Sequence, residues 1–249
     1  MTLRRAELSL GTAPLHDAAA RRLGEAEVGA ILETAAAARL TLVDTAAGYG
    51  DAERLLGLSW PFPTPFRVAT KTMGLTDGLD RLEARARRSL ELMGLPRAHA
   101  LLVDNADDLL GPDGRALWAR LEKLKGEGLF QKIGVSVADC DEAAPLARRF
   151  KPDLIQLPCS LLDQRAERTG ALRALADLGV EVHLRTITRD GWVCTAYAPG
   201  TSHDGTEGEL YSLTDDPLQF VNRWDDPACA ALRSDLLADL WDNQPEQRL

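Results

Sequence analysis

Seven short apolar runs recur over the first 187 residues, each parted from the next by an amphipathic stretch, and this alternation restricts the possible folds more than any other feature. The runs are Leu8–Thr12, Leu40–Thr45, Phe66–Thr72, Ala98–Asn105, Lys132–Val137, Asp153–Pro158 and Val180–Ile187. Between them, Glu25–Ala38, Leu79–Met93, Gly114–Lys125, Glu142–Phe150 and Arg165–Leu178 show helical periodicity. Gly94, Gly128 and Gly179 stand where presumed helices would stop. Successive runs begin roughly 20–35 residues apart, close to the ~30 of a βαβ unit. The rhythm predicts parallel strands joined by right-handed helical crossovers.

At 249 residues the chain suits one large α/β domain, and closed α/β barrels commonly have about this length. An eighth strand is needed for closure, and Gly191–Tyr197 is the one candidate for it. A Gly/Ser/Thr-rich loop is expected over Pro199–Gly208, with helix-like pieces near Pro217–Trp224 and Ala228–Trp241. Residues 1–249 are therefore read as a single barrel domain in which 194–249 form a divergent C-terminal segment. The four cysteines form no CxxC pair, which argues against a zinc site or a disulfide framework and fits a reducing cytoplasm. The beginning, MTLRRAELSLG, has no apolar core of a signal peptide, and no run approaches the ~18 apolar residues of a membrane span. The net charge is −9, and residues 201–249 hold 11 acids against 3 bases. That leaves 27 acids and 26 bases before them. An acidic tail without a basic patch speaks against nucleic acid as a partner.

The stretch Leu42–Gly57, LVDTAAGYGDAERLLG, carries the clearest chemistry. An apolar run ends in Asp44, a small-residue turn brings Tyr49 between two glycines, and a helical pattern opens at Asp51. The next run, RVATKT, ends with Lys71. An acid, a phenol and an amine at successive strand ends build a site in a fold that keeps its chemistry there.

These residues resemble the aldo-keto reductases, NADP(H)-dependent enzymes on the TIM barrel. The resemblance lies in LGT at Leu10–Thr12, VDTAAGYGDAERLLG at Val43–Gly57, ATKT at Ala69–Thr72, LLVDNADDLLGPDG at Leu101–Gly114, KIGVSV at Lys132–Val137, DLIQLP at Asp153–Pro158 and VEVHLRTI at Val180–Ile187. It implies a TIM (β/α)8-type barrel, incomplete or modified at the eighth βα unit. It also implies a reaction centre of Asp44, Tyr49 and Lys71 acting on a small-molecule carbonyl or alcohol. A phenol is a poor acid at neutral pH, and a nearby ammonium stabilises its phenolate. Tyr49 is then the general acid of reduction and the base of oxidation, with Lys71 and Asp44 as its tuners.

The fourth member of the family's centre is a histidine, and Asp104 stands in its place. An ionised carboxylate accepts hydrogen bonds and does not donate them. Three alternatives follow: a protonated Asp104 that donates, an Asp104 that binds a cationic substrate group, or a degenerate site. On the cofactor side, Ser136 and Gln156 match positions that contact the nicotinamide carboxamide in the family, and Arg185 stands where an aromatic ring commonly stacks on the nicotinamide. The basic block that holds the adenosine 2′-phosphate has no counterpart after residue 193, where Arg223 and Arg233, with Arg189 just before, are the available cations.

Plainer readings stand beside these. His16, His99, His183 and His203 lack metal-ligand spacing, and packing roles suit them better. Gln156 on an apolar strand needs partners, which a ligand or the backbone could supply. The leucines of Ala228–Trp241 suit a helix packed on the barrel. Two functions are expected: an oxidoreductase moving hydride between NADP(H) and a small carbonyl or alcohol, or a cofactor-independent lyase, isomerase or non-catalytic binding protein on the same scaffold.

Overall fold

A computed structural model describes residues 9–16, 24–159, 165–185, 192–196, 208–212, 215, 221–234 and 236. Parallel strands and helices alternate in it: β1 Ser9–Gly11, α1 Glu25–Ala37, β2 Leu42–Asp44, α2 Ala52–Ser59, β3 Arg67–Lys71, α3 Leu79–Leu92 and β4 Ala98–Val103. There follow α4 Asp107–Leu110, α5 Gly114–Gly126, β5 Phe130–Ser136, α6 Cys140–Phe150, β6 Leu154–Pro158, α7 Arg165–Arg168, α8 Ala171–Asp177 and β7 Glu181–Arg185. The seven strands lie in sequence order, β1 to β7, in one sheet. Pairing is parallel from β1 through β6, as in Val43 beside Val68 and Ala69 beside Ala100. This is a TIM-type βα arrangement, incomplete at the eighth unit among the described residues.

The expected eighth strand is corrected. Trp192–Ala196 does form a strand, β8, but it pairs antiparallel with β9, Gly208–Ser212, in a separate two-stranded sheet. The chain divides into two compact units: residues 1–158 with 165–184, and residues 159–164 with 185–249. In the second, Leu210, Trp224, Cys229 and Leu236 form a small apolar core. The helix expected near Pro217–Trp224 is a bend and turns over 221–225 where it is described, and residues 216–220 fall outside the described residues. The helix expected over Ala228–Trp241 begins as a 3-10 turn, Pro227–Cys229, and continues helically over residues 230–234; residues 237–241 lie outside the described residues.

Strand periodicity sorts the first unit's side chains into two layers. Val43 and Val68 pack against Val28, Leu32, Leu55 and Leu56 of α1 and α2. Their neighbours Leu42 and Ala69 face the other way and cluster with Ala100, Leu102 and Leu154. Stepping by two along each strand puts Asp44, Lys71 and Gln156 on that same inner face, at the strands' C-terminal ends.

Helix ends follow local chemistry. The Glu27 carboxylate accepts from the Gly24 N–H at 2.9 Å ahead of α1, and Asp139 caps α6 by accepting from the Asp141 N–H at 3.0 Å. The helix expected over Arg165–Leu178 is broken in two at Gly170, whose φ is +78°.

Candidate active site

Lys71 is the centre of the site. Its side chain is wholly buried on the inner face of β3. A buried ammonium requires partners. Its Nζ donates to Asp44 Oδ1 at 2.6 Å and to the Thr45 carbonyl at 3.2 Å, and it stands 3.5 Å from Tyr49 Oη. The ammonium also lies 5.2 Å from the centre of the Tyr49 ring. The sequence-predicted acid, phenol and amine thus come together.

Tyr49 reaches this position through its loop. The Thr45 N–H donates to the Ala69 carbonyl at 2.9 Å and the Ala47 N–H to the Lys71 carbonyl at 3.2 Å, so the turn is laid against β3. The Tyr49 N–H then donates to the Ala46 carbonyl at 3.0 Å, and the Ala52 N–H to the Tyr49 carbonyl at 2.9 Å as α2 begins. The phenol is half-buried.

Ser136 and Gln156 are register partners on β5 and β6, and both are buried. Gln156 Nε2 donates to Asp44 Oδ2 at 2.8 Å. That bond turns Oε1 away from Asp44, and Oε1 has no hydrogen-bond partner among the described residues. A buried unmet carbonyl oxygen costs about 1–3 kcal/mol. A primary carboxamide offers the N–H that is missing, and the Ser136 hydroxyl beside it can pair with the same group. These two residues fit the amide of a nicotinamide. Arg185 ends β7; its side chain lies outside the described residues.

Asp104 follows β4 directly and is exposed, with its N–H 3.4 Å from Thr72 Oγ1. More acids stand nearby. Burial pushes the Asp108 carboxyl above its usual range, and the charges of Asp107 and Asp104 add to this. Burial raises Glu142 likewise, helped by Asp107 and Asp139. Of the cations considered for a 2′-phosphate, Arg189 falls outside the described residues. Arg223 pairs with Asp226 at 3.3 Å. Arg233 donates to the Trp224 carbonyl and lies over the Trp224 ring at 5.2 Å.

His99 and His183 lie on β4 and β7. His99 is buried in β4, and burial, with Lys132 and Arg67 nearby, lowers its pKa, so the ring is neutral at pH 7. His183 hydrogen-bonds Glu181 at 3.0 Å. Asp139, Cys140 and Asp141 bring three ligand-type atoms together within 4.8 Å among the described residues.

Sequence reasoning missed three polar partners. The Thr45 carbonyl, as an acceptor for Lys71, leaves no side-chain signal. The bond of Gln156 to Asp44 joins residues 112 apart. Buried Glu53 and half-buried Arg85 form a further pair, at 2.8 Å, beside the Tyr49 loop. An acid on the buried face of the helical pattern DAERLLG was its one sign.

No helix among the described residues is long and apolar enough to cross a membrane. A putative aldo-keto reductase of Pseudomonas aeruginosa is similar in structure, with a TM-score of 0.60 and 23 % identity over 71 % of each chain. The holo form of aldo-keto reductase AKR11C1 from Bacillus halodurans gives 0.59 and 19 % over 74 % of this chain and 66 % of its own. A Bombyx mori aldo-keto reductase, AKR2E4, in complex with NADP gives 0.55 and 22 % over 71 % of this chain and 61 % of its own. At these identities the likeness speaks for the fold. None of the curated proteins matches the chain. The sequence model of the aldo/keto reductase family matches residues 7–229, nearly the whole length over which the strands, the Tyr49 loop and the buried lysine have been traced. The chain belongs to the aldo/keto reductase family.

Proposed function

We propose that the protein is an NADP(H)-dependent oxidoreductase that interconverts a small carbonyl compound and its alcohol. The observation that carries this reading is the buried Lys71 ammonium, set 2.6 Å from the Asp44 carboxylate and 3.5 Å from the Tyr49 hydroxyl. A bound reduced nicotinamide supplies the hydride. Tyr49 Oη gives its proton to the carbonyl oxygen as negative charge builds there, and in the reverse direction it takes the proton back. Lys71 stabilises the phenolate left behind through its positive charge, held 3.5 Å from the phenol oxygen. Asp44 holds the ammonium in place and is itself held on its other oxygen by Gln156. Gln156 Oε1 and Ser136 would orient the carboxamide, and the sequence resemblance gives Arg185 the position of the family's stacking ring. Asp104, in place of the family's histidine, selects the substrate.

NADPH and NADH titration, followed by the fluorescence of the five tryptophans, tests the cofactor. Saturable binding is expected. Its absence up to millimolar cofactor would remove hydride transfer and leave the cofactor-independent reading. Where binding is seen, Tyr49→Phe is expected to leave only a small residual rate of aldehyde reduction with cofactor affinity nearly unchanged; an undiminished rate would reject Tyr49 as the acid.

A further inference from the structure

Beside the reaction centre lies a second charged pair, a buried carboxylate with a half-buried guanidinium, that the proposed mechanism does not use. Glu53, in the first turn of α2, is 1 % exposed. One of its oxygens accepts from Thr70 Oγ1 at 2.7 Å, and Thr70 is the residue before Lys71 on β3. Its other oxygen lies 2.8 Å from Arg85 Nη2 of α3. The aligned N–H of that nitrogen goes to the Ala47 carbonyl at 3.1 Å, and Nη1 donates to Ser89 Oγ at 2.6 Å. Glu53 Oε2 therefore has a charge contact with Arg85 and no aligned hydrogen bond among the described residues.

A carboxylate removed from water so completely, with one oxygen imperfectly met, is weak evidence for a gain in stability. What the pair does reach is the Tyr49 loop. Ala47 is two residues before Tyr49, and its own N–H is bonded to the Lys71 carbonyl at 3.2 Å. The guanidinium holds the Ala47 carbonyl from the α3 side while β3 holds the N–H from the other. Glu53 fixes the guanidinium and also ties it, through Thr70, to the strand that carries the lysine. The phenol and the ammonium are thus set against one frame. The 3.5 Å separation of Tyr49 Oη and Lys71 Nζ is at the outer limit of hydrogen bonding, so a loop displaced by an ångström would lose the contact.

We infer that Arg85 and Glu53 are positioning residues for proton transfer by Tyr49, an inference that rests on Tyr49 being the proton donor. Arg85→Met and Glu53→Gln are compared with the wild type in aldehyde reduction and in amide hydrogen exchange. Each is expected to lower kcat by roughly 10–100-fold with KM within about threefold, because misplacement acts on the chemical step. The amides of Ala47 and Tyr49 are expected to exchange about tenfold faster, while Leu82–Leu90 in α3 keep their protection. In a Tyr49→Phe background, Arg85→Met should change the residual kcat by less than about twofold, whereas a merely structural role would lower it again. If either variant does not fold, Arg85→Lys, which keeps the charge but lacks the forked reach, carries the same comparison at smaller amplitude. An undiminished kcat, or a loss repeated in full without the phenol, overturns the inference. A wild-type protein without reductase activity would overturn the proposed function instead. The inference then stands or falls on the exchange of Ala47 and Tyr49, and unchanged exchange in the variants overturns it.

Discussion

Gln156 Nε2 donates to Asp44 Oδ2 at 2.8 Å, joining β6 to β2 across the inner face of the sheet. One amide thereby does two things: it completes the acid that holds Lys71, and it leaves a buried oxygen facing away from that acid. Gln156→Leu removes both. The variant is expected to bind NADPH roughly tenfold more weakly, the equivalent of about 1.4 kcal/mol. Its stability should change little, because the cost of the unmet Asp44 oxygen it creates, about 1–3 kcal/mol, is offset by the loss of the unmet Oε1 of similar cost. Fluorescence titration and denaturant melts read the two separately, and unchanged cofactor affinity would remove Gln156 from the nicotinamide site.

Asp104→His restores a donor where the family has one. Reduction of simple aldehydes is expected to rise by about tenfold or more, short of the roughly hundredfold or greater effect of a fully placed proton-donating or oxyanion-binding group. A fall in kcat/KM would mean that the carboxylate contributes to substrate recognition in its own right.

Glu83 of α3 pairs with Arg87 of the same helix at 2.9 Å and reaches α5 through Lys123 at 2.8 Å and Arg120 at 2.8 Å. Its hydrogen bonds to Lys123, Arg87 and Arg120 hold its carboxyl down at about 2, from an ordinary 4.5. The folded state thus favours the ionised form. Its contribution is fully present above pH 4.5 and is lost as the pH falls toward 2. The three cations are partly solvated, so the network is expected to contribute about 1–2 kcal/mol rather than the full shift. Glu83→Gln should therefore lower Tm at pH 7, with the difference from wild type shrinking between pH 4.5 and 2. A difference constant with pH would show that the network's charge is irrelevant to stability.

Gly57 of α2 lies against the end of α3. A Cβ there would meet the Leu92 carbonyl oxygen at 2.1 Å and Met93 Cα at 2.9 Å, both backbone atoms. Gly57→Ala is expected to cost about 2–3 kcal/mol by forcing the helices apart. Gly126→Ala, at the end of α5 with nothing within 4 Å, serves as the control and should be neutral or slightly stabilising. Equal denaturation midpoints for the two would contradict the close approach.

The first seven strands were legible because strands covered on both faces read as apolar runs, and the glycines that stop α3, α5 and α8 have φ of +64°, +79° and +72°. Asp44, Tyr49 and Lys71 could be found because each sits at or just past the end of such a run. The eighth position was not legible. WVCTA is a good strand by composition, but nothing local says whether its partner is parallel or antiparallel, and its partner GELYS carries too little apolar character to stand out. The four-residue helix α4 is too short for periodicity to register, and a single left-handed glycine, Gly170, parts α7 from α8 inside a continuous helical pattern. Side-chain networks such as Glu53–Thr70–Arg85 were beyond reach, because they depend on rotamers meeting across three elements.

The sequential strand order also bears on how the chain finds its fold. Between β1 and β6, each pairing joins neighbours only 20 to 33 residues apart in their bridged positions, as with Leu154 and Gly134 at one extreme and Ser9 and Leu42 at the other. Among the described residues β1 and β7 end the sheet and are not paired with each other; a pairing between them would draw together positions some 170 residues apart. Such a closure would cost about 1.5 kcal/mol more chain entropy than a neighbouring pair. Assembly can therefore spread outward from whichever βα hairpin forms first, which favours rapid, local folding over a single late ring-closing event.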